Sequence, residues 1–217
     1  MKILVPIKQV PDTATQVKVS SDPRAIETAG VTWIISPYDE FALEEALRIR
    51  EKRGQGEVVT VSLGPDRVKE ALRSSLAMGA DRAIHVNDPA FAEADTLLTA
   101  RALAAVIAQE APQLAIFGRQ VEGGLEVFEA PLPCVLAAQK GLNEPRYPTL
   151  KGIMGARKKE IKDLKAGDLG LAPEPAQLSV VRLEALPPRP PGRILGGELK
   201  DAVHELVRAL REEAKAI

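Results

Sequence analysis

The sequence predicts an α/β fold built on a doubly wound, mainly parallel sheet, with an arm and a helix at the C-terminal end. Three observations predict it. Short apolar runs rich in β-branched residues alternate with stretches whose apolar residues recur at helical period. Glycine and proline punctuate the chain between these runs. Strands alternating with helices at this spacing form right-handed βαβ units, which lay successive strands parallel.

The first strand is the apolar run Lys2 to Ile7, which gives way to a polar turn, Lys8 to Thr13. Thr15 to Ser20 alternates, with Val17 and Val19 on one face, as an edge strand or hairpin arm does. Val31 to Ile35 is a further short strand. Ser36 then offers an N-cap, Pro37 suits the first helical position, and Asp39 completes an S-x-x-D capping pattern. Tyr38, Phe41, Ala42, Ala46 and Ile49 share one face of the helix that Gly54 ends. Glu57 to Leu63 is strand-like, and Gly64-Pro65 turns it into a second helix carrying Val68, Leu72 and Leu76, closed by Gly79. Ala83 to Val86 is a strand, Asp95 caps the helix running to Gln109, and Leu114 to Gly118 is the next strand.

The second half reads differently. Leu125 to Phe128 and Leu132 to Ala138 are strands with no helix between them, and Gln177 to Leu183 is another. The run PPRPPG, from Pro187, is a stiff extended connector. It leads to a helix from Glu198 to Lys215 with Leu199, Val203, Leu206, Val207 and Leu210 on one side. The expected division is therefore an α/β domain over 1–185 and a connector with terminal helix over 186–217. That helix either reaches a partner or covers the domain's own sheet.

Composition narrows the function classes. A chain of 217 residues suits one large domain, or a domain with an arm, burying roughly 70% of its unfolded surface. A net charge of −1 gives no bulk attraction to nucleic acid or to a membrane surface. The single cysteine, Cys134, excludes an internal disulfide, and its setting in PLPCVLAA suits a small buried hydrophobe. Pro6 and Lys8 interrupt the N-terminal apolar run, so no secretory pattern forms, and no stretch is long enough to span a bilayer. A soluble, cytoplasmic chain is expected.

In open α/β sheets ligands lie outside the carboxyl ends of the strands. Four such ends qualify: Pro6-Ile7-Lys8, Ser36 to Asp39, Leu63-Gly64-Pro65 and Gly118-Arg119-Gln120. Ser36 and Gly64 also stand at helix starts, where free N–H groups favour phosphate. Neither G-x-G-x-x-G nor G-x-x-x-x-G-K-[ST] is present, and capped helices without a ligand fit these residues equally well. His85 and His204 have no metal-ligand spacing around them, and Asp12, Asp39 and Asp81 sit where capping accounts for them. No catalytic constellation emerges, so an enzyme is not expected.

The segment Leu142 to Glu160, LNEPRYPTLKGIMGARKKE, has no helical or strand period, yet carries Tyr147, Leu150, Ile153 and Met154. Arg157, Lys158 and Lys159 follow at once, with Lys162 and Lys165 beyond. Apolar anchors rimmed by one sign of charge suit a docking surface, with exposed basic side chains steering the partner. An irregular segment tucked onto its own core fits the composition as well.

LNEPRYPTLKGIMGARKK resembles the recognition loop of electron transfer flavoprotein β subunits, and KILVPIKQVPDT and LAMGADRAIHV resemble blocks of that family in the same order. The resemblance implies an electron carrier on an adenine-nucleotide-hydrolase-like fold. It implies that Leu150 enters an apolar pocket of a partner dehydrogenase, flanked by Arg146, Tyr147, Thr149, Ile153, Met154, Arg157, Lys158 and Lys159. It implies AMP, or a second FAD in members that bifurcate electrons, against Pro6, Ser36, Pro37, Tyr38, Asp39, Leu63 and Gln120. The electron-carrying FAD would be held mainly by a separate α subunit and approached by Lys8, Gln9, Asp12 and Thr13. Electrons would pass from acyl-CoA and related dehydrogenases to a membrane quinone oxidoreductase. The docking segment favours the simple carrier over the bifurcating form.

Two other classes are weighed against it. An adenine-nucleotide-dependent enzyme would need a serine- and glycine-rich loop after the first strand, and VPIKQVPDT is not one. A nucleotide-sensing module would not need the segment Asn143 to Lys159. The chain departs from the family after Gln120, where Val121-Glu122-Gly123-Gly124 replaces a stretch that closes over the phosphates. Either the segment is lost, or its residues are missing from the sequence as numbered. The helix required to return to a parallel strand favours the second.

Overall fold

Six strands form one parallel sheet in the order β7-β6-β1-β4-β5-β8 in a computed structural model, which describes residues 1–119, 131–172, 174–185, 187 and 191–216. They are β1 (Lys2–Pro6), β4 (Glu57–Leu63), β5 (Arg82–Val86), β6 (Leu114–Gly118), β7 (Cys134–Ala138) and β8 (Ile161–Leu164). A separate antiparallel pair joins β2 (Gln9–Pro11) to β3 (Trp33–Ile35). The central strands are apolar on both faces because both faces are covered. In β1, Ile3 and Val5 enter one core while Leu4 enters the other.

Helices α1 (Pro37–Arg53) and α2 (Val68–Met78) pack on the first face, and α3 (Thr96–Glu110) on the second. The chain winds from β1 to β4 and β5 in one direction, then crosses to β6 on the other side of β1. That reversal puts α3 on the opposite face and opens a switch point between β1 and β6. Leu43, Leu47, Leu72 and Leu76 are fully buried beneath α1 and α2. Each contributes about 1.5–3 kcal/mol relative to exposure. Thr60 and Ser75 share a buried hydroxyl–hydroxyl hydrogen bond of 2.9 Å that fixes α2 on β4.

The cap signals hold at most helix ends. Gly54 ends α1 in the left-handed conformation (φ 69°), and the Asp95 carboxylate accepts from the Leu98 amide to start α3. At α1 the expected S-x-x-D box does not form. Ser36 makes no side-chain cap, and Asp39 turns inward instead.

From β7 at one sheet edge the chain reaches β8 at the other by a strap, residues 139–160, laid over α1 and α2. Asn143 donates to the Phe41 carbonyl (3.0 Å) and the Glu45 carboxylate (3.2 Å). The strap then forms α4 (Leu150–Ala156), capped by Thr149, whose hydroxyl accepts from the Gly152 amide at 3.0 Å. The segment expected to be irregular therefore contains two helical turns. Gly152 is required there, because a Cβ would lie 2.3 Å from the Ala77 carbonyl oxygen.

Other expectations are corrected. Lys8 to Thr13 is not only a turn, since Gln9–Pro11 pairs with β3. Val19 makes a single bridge to Ile26 rather than a strand. Gln177 to Leu183 forms no strand; the Leu183 amide donates to the Pro23 carbonyl, and the Gln177 and Leu178 amides are held by Asp95. The strand expected at Leu125 to Phe128 lies outside the described residues.

The chain divides into two units, Met1–Leu183 and Glu184–Ile217. The second holds α5 (Leu199–Arg208), continued by a π-helical turn to Glu213. Arg193 pairs with Glu205 and Glu213 within that unit. Leu199, Val203, Leu206 and Val207 are exposed on α5. Among the described residues no helix is long and apolar enough to cross a membrane.

Gly118 is the tightest joint of the sheet, since a Cβ there would lie 2.4 Å from both the Asp39 carboxylate and the Tyr38 carbonyl carbon. Gly118→Ala should cost about 1–3 kcal/mol by overpacking, read as a lower denaturant midpoint with an unchanged slope.

Candidate functional site

The carboxyl ends of β1, β4 and β6 lie side by side, bringing Pro6, Leu63 and Gly118 to one edge of the sheet. The start of α1 closes over this edge. The Ser36 amide donates to the Lys8 carbonyl at 2.8 Å, and Tyr38 and Asp39 back onto Gly118. Of the expected nucleotide contacts, the structure therefore brings Pro6, Ser36, Pro37, Tyr38, Asp39 and Leu63 to the carboxyl edge of the sheet and the start of α1. Gln120 lies outside the described residues.

Asp39 bridges the switch point. Its carboxylate accepts from the Lys8 amide at 2.7 Å and lies against Gly118, bringing the ends of β1 and β6 together. Burial lifts this carboxyl from the ordinary 3.8 to about 6, against the Lys8 and Gly118 backbone, which favours the ion. The Gly64 turn is also closed on itself. Its amide donates to the Val86 carbonyl, and its carbonyl lies 2.9 Å from His85 Nε2. The other ring nitrogen of His85 lies 2.7 Å from Asp163. His85 is thus a core residue tying β5 to β8 and to this turn. His204 hydrogen-bonds the Lys200 carbonyl within α5. No group of three or more His, Cys, Asp or Glu side chains suited to a metal ion occurs among the described residues.

The residues expected near a partner's flavin divide. Lys8 and Thr13 are exposed, and the Asp12 carboxylate accepts from the Ala14 amide. Asp12 also lines a polar cleft of about 460 Å³ with Thr15, Lys18, Glu27 and Thr32. Gln9 is buried instead: its amide nitrogen donates to the Arg67 carbonyl (3.0 Å), while its oxygen accepts from the Arg67 guanidinium (2.7 Å). That guanidinium lies over the Trp33 ring, 3.6 Å from its centroid. Gln9 therefore turns away from solvent, and Arg67 and Trp33, which sequence reasoning missed, take that corner of the site.

The strap residues also divide. Tyr147 is 92% exposed, Leu150 76%, Met154 65% and Ile153 46%, a row of apolar side chains with no cover. Arg157 and Lys158 are exposed beside them. Arg146, expected on the docking surface, instead forks onto α1, meeting Glu44 at 2.8 Å and Glu51 at 2.5 Å. The Arg146 guanidinium and the Arg48 side chain hold the Glu44 carboxyl below its ordinary range despite its burial. Lys159, expected to be exposed, points inward, and desolvation lowers its ammonium from the usual lysine value. Its Nζ donates to the Leu76 and Ala80 carbonyls at 3.0 and 2.5 Å. Thr149 caps α4 rather than facing outward through its hydroxyl.

A doubly wound α/β domain with a closed helix start at its switch point and an apolar row mounted on a strap is the class that fold and site define. The electron transfer flavoprotein domain matches residues 24–129. The chain is 40% identical to the electron transfer flavoprotein subunit beta of Thermoanaerobacterium thermosaccharolyticum, covering 97% of this chain and 98% of that protein. It is 36% identical to the Bos taurus protein of the same name (98% and 97% covered) and 35% to that of Bacillus subtilis (100% of each). The chain belongs to the electron transfer flavoprotein β-subunit family, whose members carry electrons.

The Bacillus comparison runs over 260 positions and covers all 217 residues of this chain, so the relative carries a segment that this one lacks. The numbering runs unbroken through Gln120 and Val121.

Asp39 makes a prediction about pH. A carboxyl raised by burial keeps its proton in the native state where the unfolded chain has lost it. Its contribution to stability therefore falls as pH rises from about 4 to about 6, and is level above. Asp39→Asn removes that dependence. The stability difference between variant and parent should shift toward the variant by about 2 kcal/mol between pH 4 and 7, measured by denaturant titration across that range.

Proposed function

We propose that this chain is the β subunit of a simple electron carrier. It pairs with an FAD-bearing α subunit, accepts electrons from acyl-CoA and related dehydrogenases, and passes them to a membrane quinone oxidoreductase. The observation that carries this reading is the uncovered row Tyr147, Leu150, Ile153 and Met154, held on a rigid strap. A soluble domain gains nothing in its own fold from such a row, while a partner's pocket would bury it. Arg157 and Lys158 rim the row and would steer an acidic partner surface toward it.

FAD, when bound in the heterodimer, supplies the electron-accepting ring. The exposed Lys8 and Thr13, with Asp12 and its cleft, are the groups of this chain that would face it. AMP is the ligand proposed for the switch-point crevice. Tyr38 and Leu63, both half-buried, offer apolar surface for the base, beside the backbone of the buried Pro6. The phosphate fits less well, because the Gly64 amide is engaged and the Asp39 carboxylate occupies the start of α1. The family segment that closes over the phosphates is also the part implied to be missing after Gln120. The proposed AMP is accordingly held by its adenosine half. Activity confined to the cytoplasm is part of the same proposal.

Leu150→Ala tests the docking surface. Loss of a buried interface leucine should weaken productive docking about ten- to a hundredfold while leaving the melting temperature and flavin content unchanged. The reduction rate of the heterodimer by an acyl-CoA dehydrogenase, taken with the thermal midpoint, decides it. A large fall in midpoint with docking intact would show that Leu150 is a packing residue.

Denaturing the purified heterodimer and separating the released nucleotides should give one FAD, with AMP as the second nucleotide. Two FAD per heterodimer and no AMP would assign the chain to the bifurcating form. The chain purified without its partner should be colourless.

A further inference from the structure

The outward row on α4 is useful to a partner only if the helix is held at a fixed height and angle above α2. Apolar burial does little of this, since Leu150, Ile153 and Met154 all face away from the domain and Ala156 is the one buried side chain of the helix. The hydrogen bonds at the far end are of another kind. Arg73, on α2, sends one guanidinium nitrogen to the Ala156 carbonyl (2.6 Å) and the Lys159 carbonyl (2.8 Å), where α4 ends. Lys159, just past α4, sends its ammonium to the Leu76 and Ala80 carbonyls, where α2 ends.

We propose that Arg73 and Lys159 are positioning residues that fix the docking helix by exchanging C-terminal caps between α2 and α4. Each helix end presents carbonyls without intrahelical donors and the negative end of its dipole. Each receives a cation from the other element. Neither cation has a carboxylate within ion-pair distance among the described residues, and the neighbouring Asp81 is held by Arg50 at 2.8 Å. The exchange leaves no slack along the helix. Gly152 rests against the Ala77 backbone in the middle, and the caps lock the end. Because the bonds run in both directions, α4 cannot rise from α2 without exposing two sets of buried carbonyls and two partly desolvated cations. The inference rests on the docking reading for its functional half and on the free domain for its structural half.

The test uses the heterodimer with Arg73→Met, Lys159→Met, Arg73→Lys and Leu150→Ala. Hydrogen exchange is followed at Ile153 and Lys158 in the strap and at Val59 in the central strand. Arg73→Met should speed exchange at the two strap amides at least about tenfold with Val59 unchanged, and raise the KM for reduction by an acyl-CoA dehydrogenase about 3–10-fold with kcat unchanged. Arg73→Lys, which keeps a cation but can reach fewer carbonyls, should recover part of both. If Arg73→Met costs the fold itself, Lys159→Met carries the same comparison from the other side of the exchange. Unchanged strap exchange in both methionine variants would overturn the proposal. So would faster exchange with unchanged KM when Leu150→Ala does raise KM. If Leu150→Ala leaves KM unchanged, the docking reading fails by itself, and the exchange rates alone decide whether the caps hold α4.

Discussion

One buried carboxylate bridges β1 and β6 beyond the end of their backbone ladder, where the winding reverses. Asp39 takes the Lys8 amide just past the end of β1 and lies against Gly118 at the end of β6. The contact sets where α1 begins, and α1 in turn carries Leu43 and Leu47 into the core and Glu44 and Glu51 toward the strap. The strap is therefore referenced, through Arg146 and α1, to the same point where β1 and β6 diverge. The cost of that arrangement is a charge taken out of water, visible in the raised Asp39 carboxyl.

The strap separates two uses of the same residue types. Arg146 and Lys159 are bound inward, one to carboxylates and one to carbonyls, whereas Arg157 and Lys158 stay in solvent. Positive charge near Leu150 is thus partly mortar and partly rim. Replacing the inward pair would disturb geometry, and replacing the outward pair would alter only the long-range field, which salt screens over about 8–10 Å.

The elements legible in the sequence are those set by local rules. Glu57–Leu63 and Leu114–Gly118 are continuous apolar runs, and Gly54 and Asp95 are caps whose chemistry acts within a turn. What escaped depends on partners far along the chain. Ile161–Leu164 reads as part of a basic run, yet its Asp163 meets His85 from β5 and makes the segment an edge strand. Gln177 to Leu183 alternates as a strand should but finds no ladder to join. Asp39 resembles a capping-box residue, and only the approach of Gly118 turns it inward. At the candidate site the apolar anchors were readable as side chains a protein usually hides. The inward turn of Gln9, Arg146 and Lys159 was not, because each is set by an acceptor or donor dozens of residues away.

The chain has a single tryptophan, and it lies under a guanidinium at one corner of the β2–β3 hairpin. Its emission therefore reports one local environment rather than an average over the molecule. Arg67, which covers the ring, is held by Gln9 just past the end of β1, and Ser36 hydrogen-bonds Lys8 beside it. The protein thus carries a built-in optical gauge of the carboxyl edge of its sheet, readable without a label.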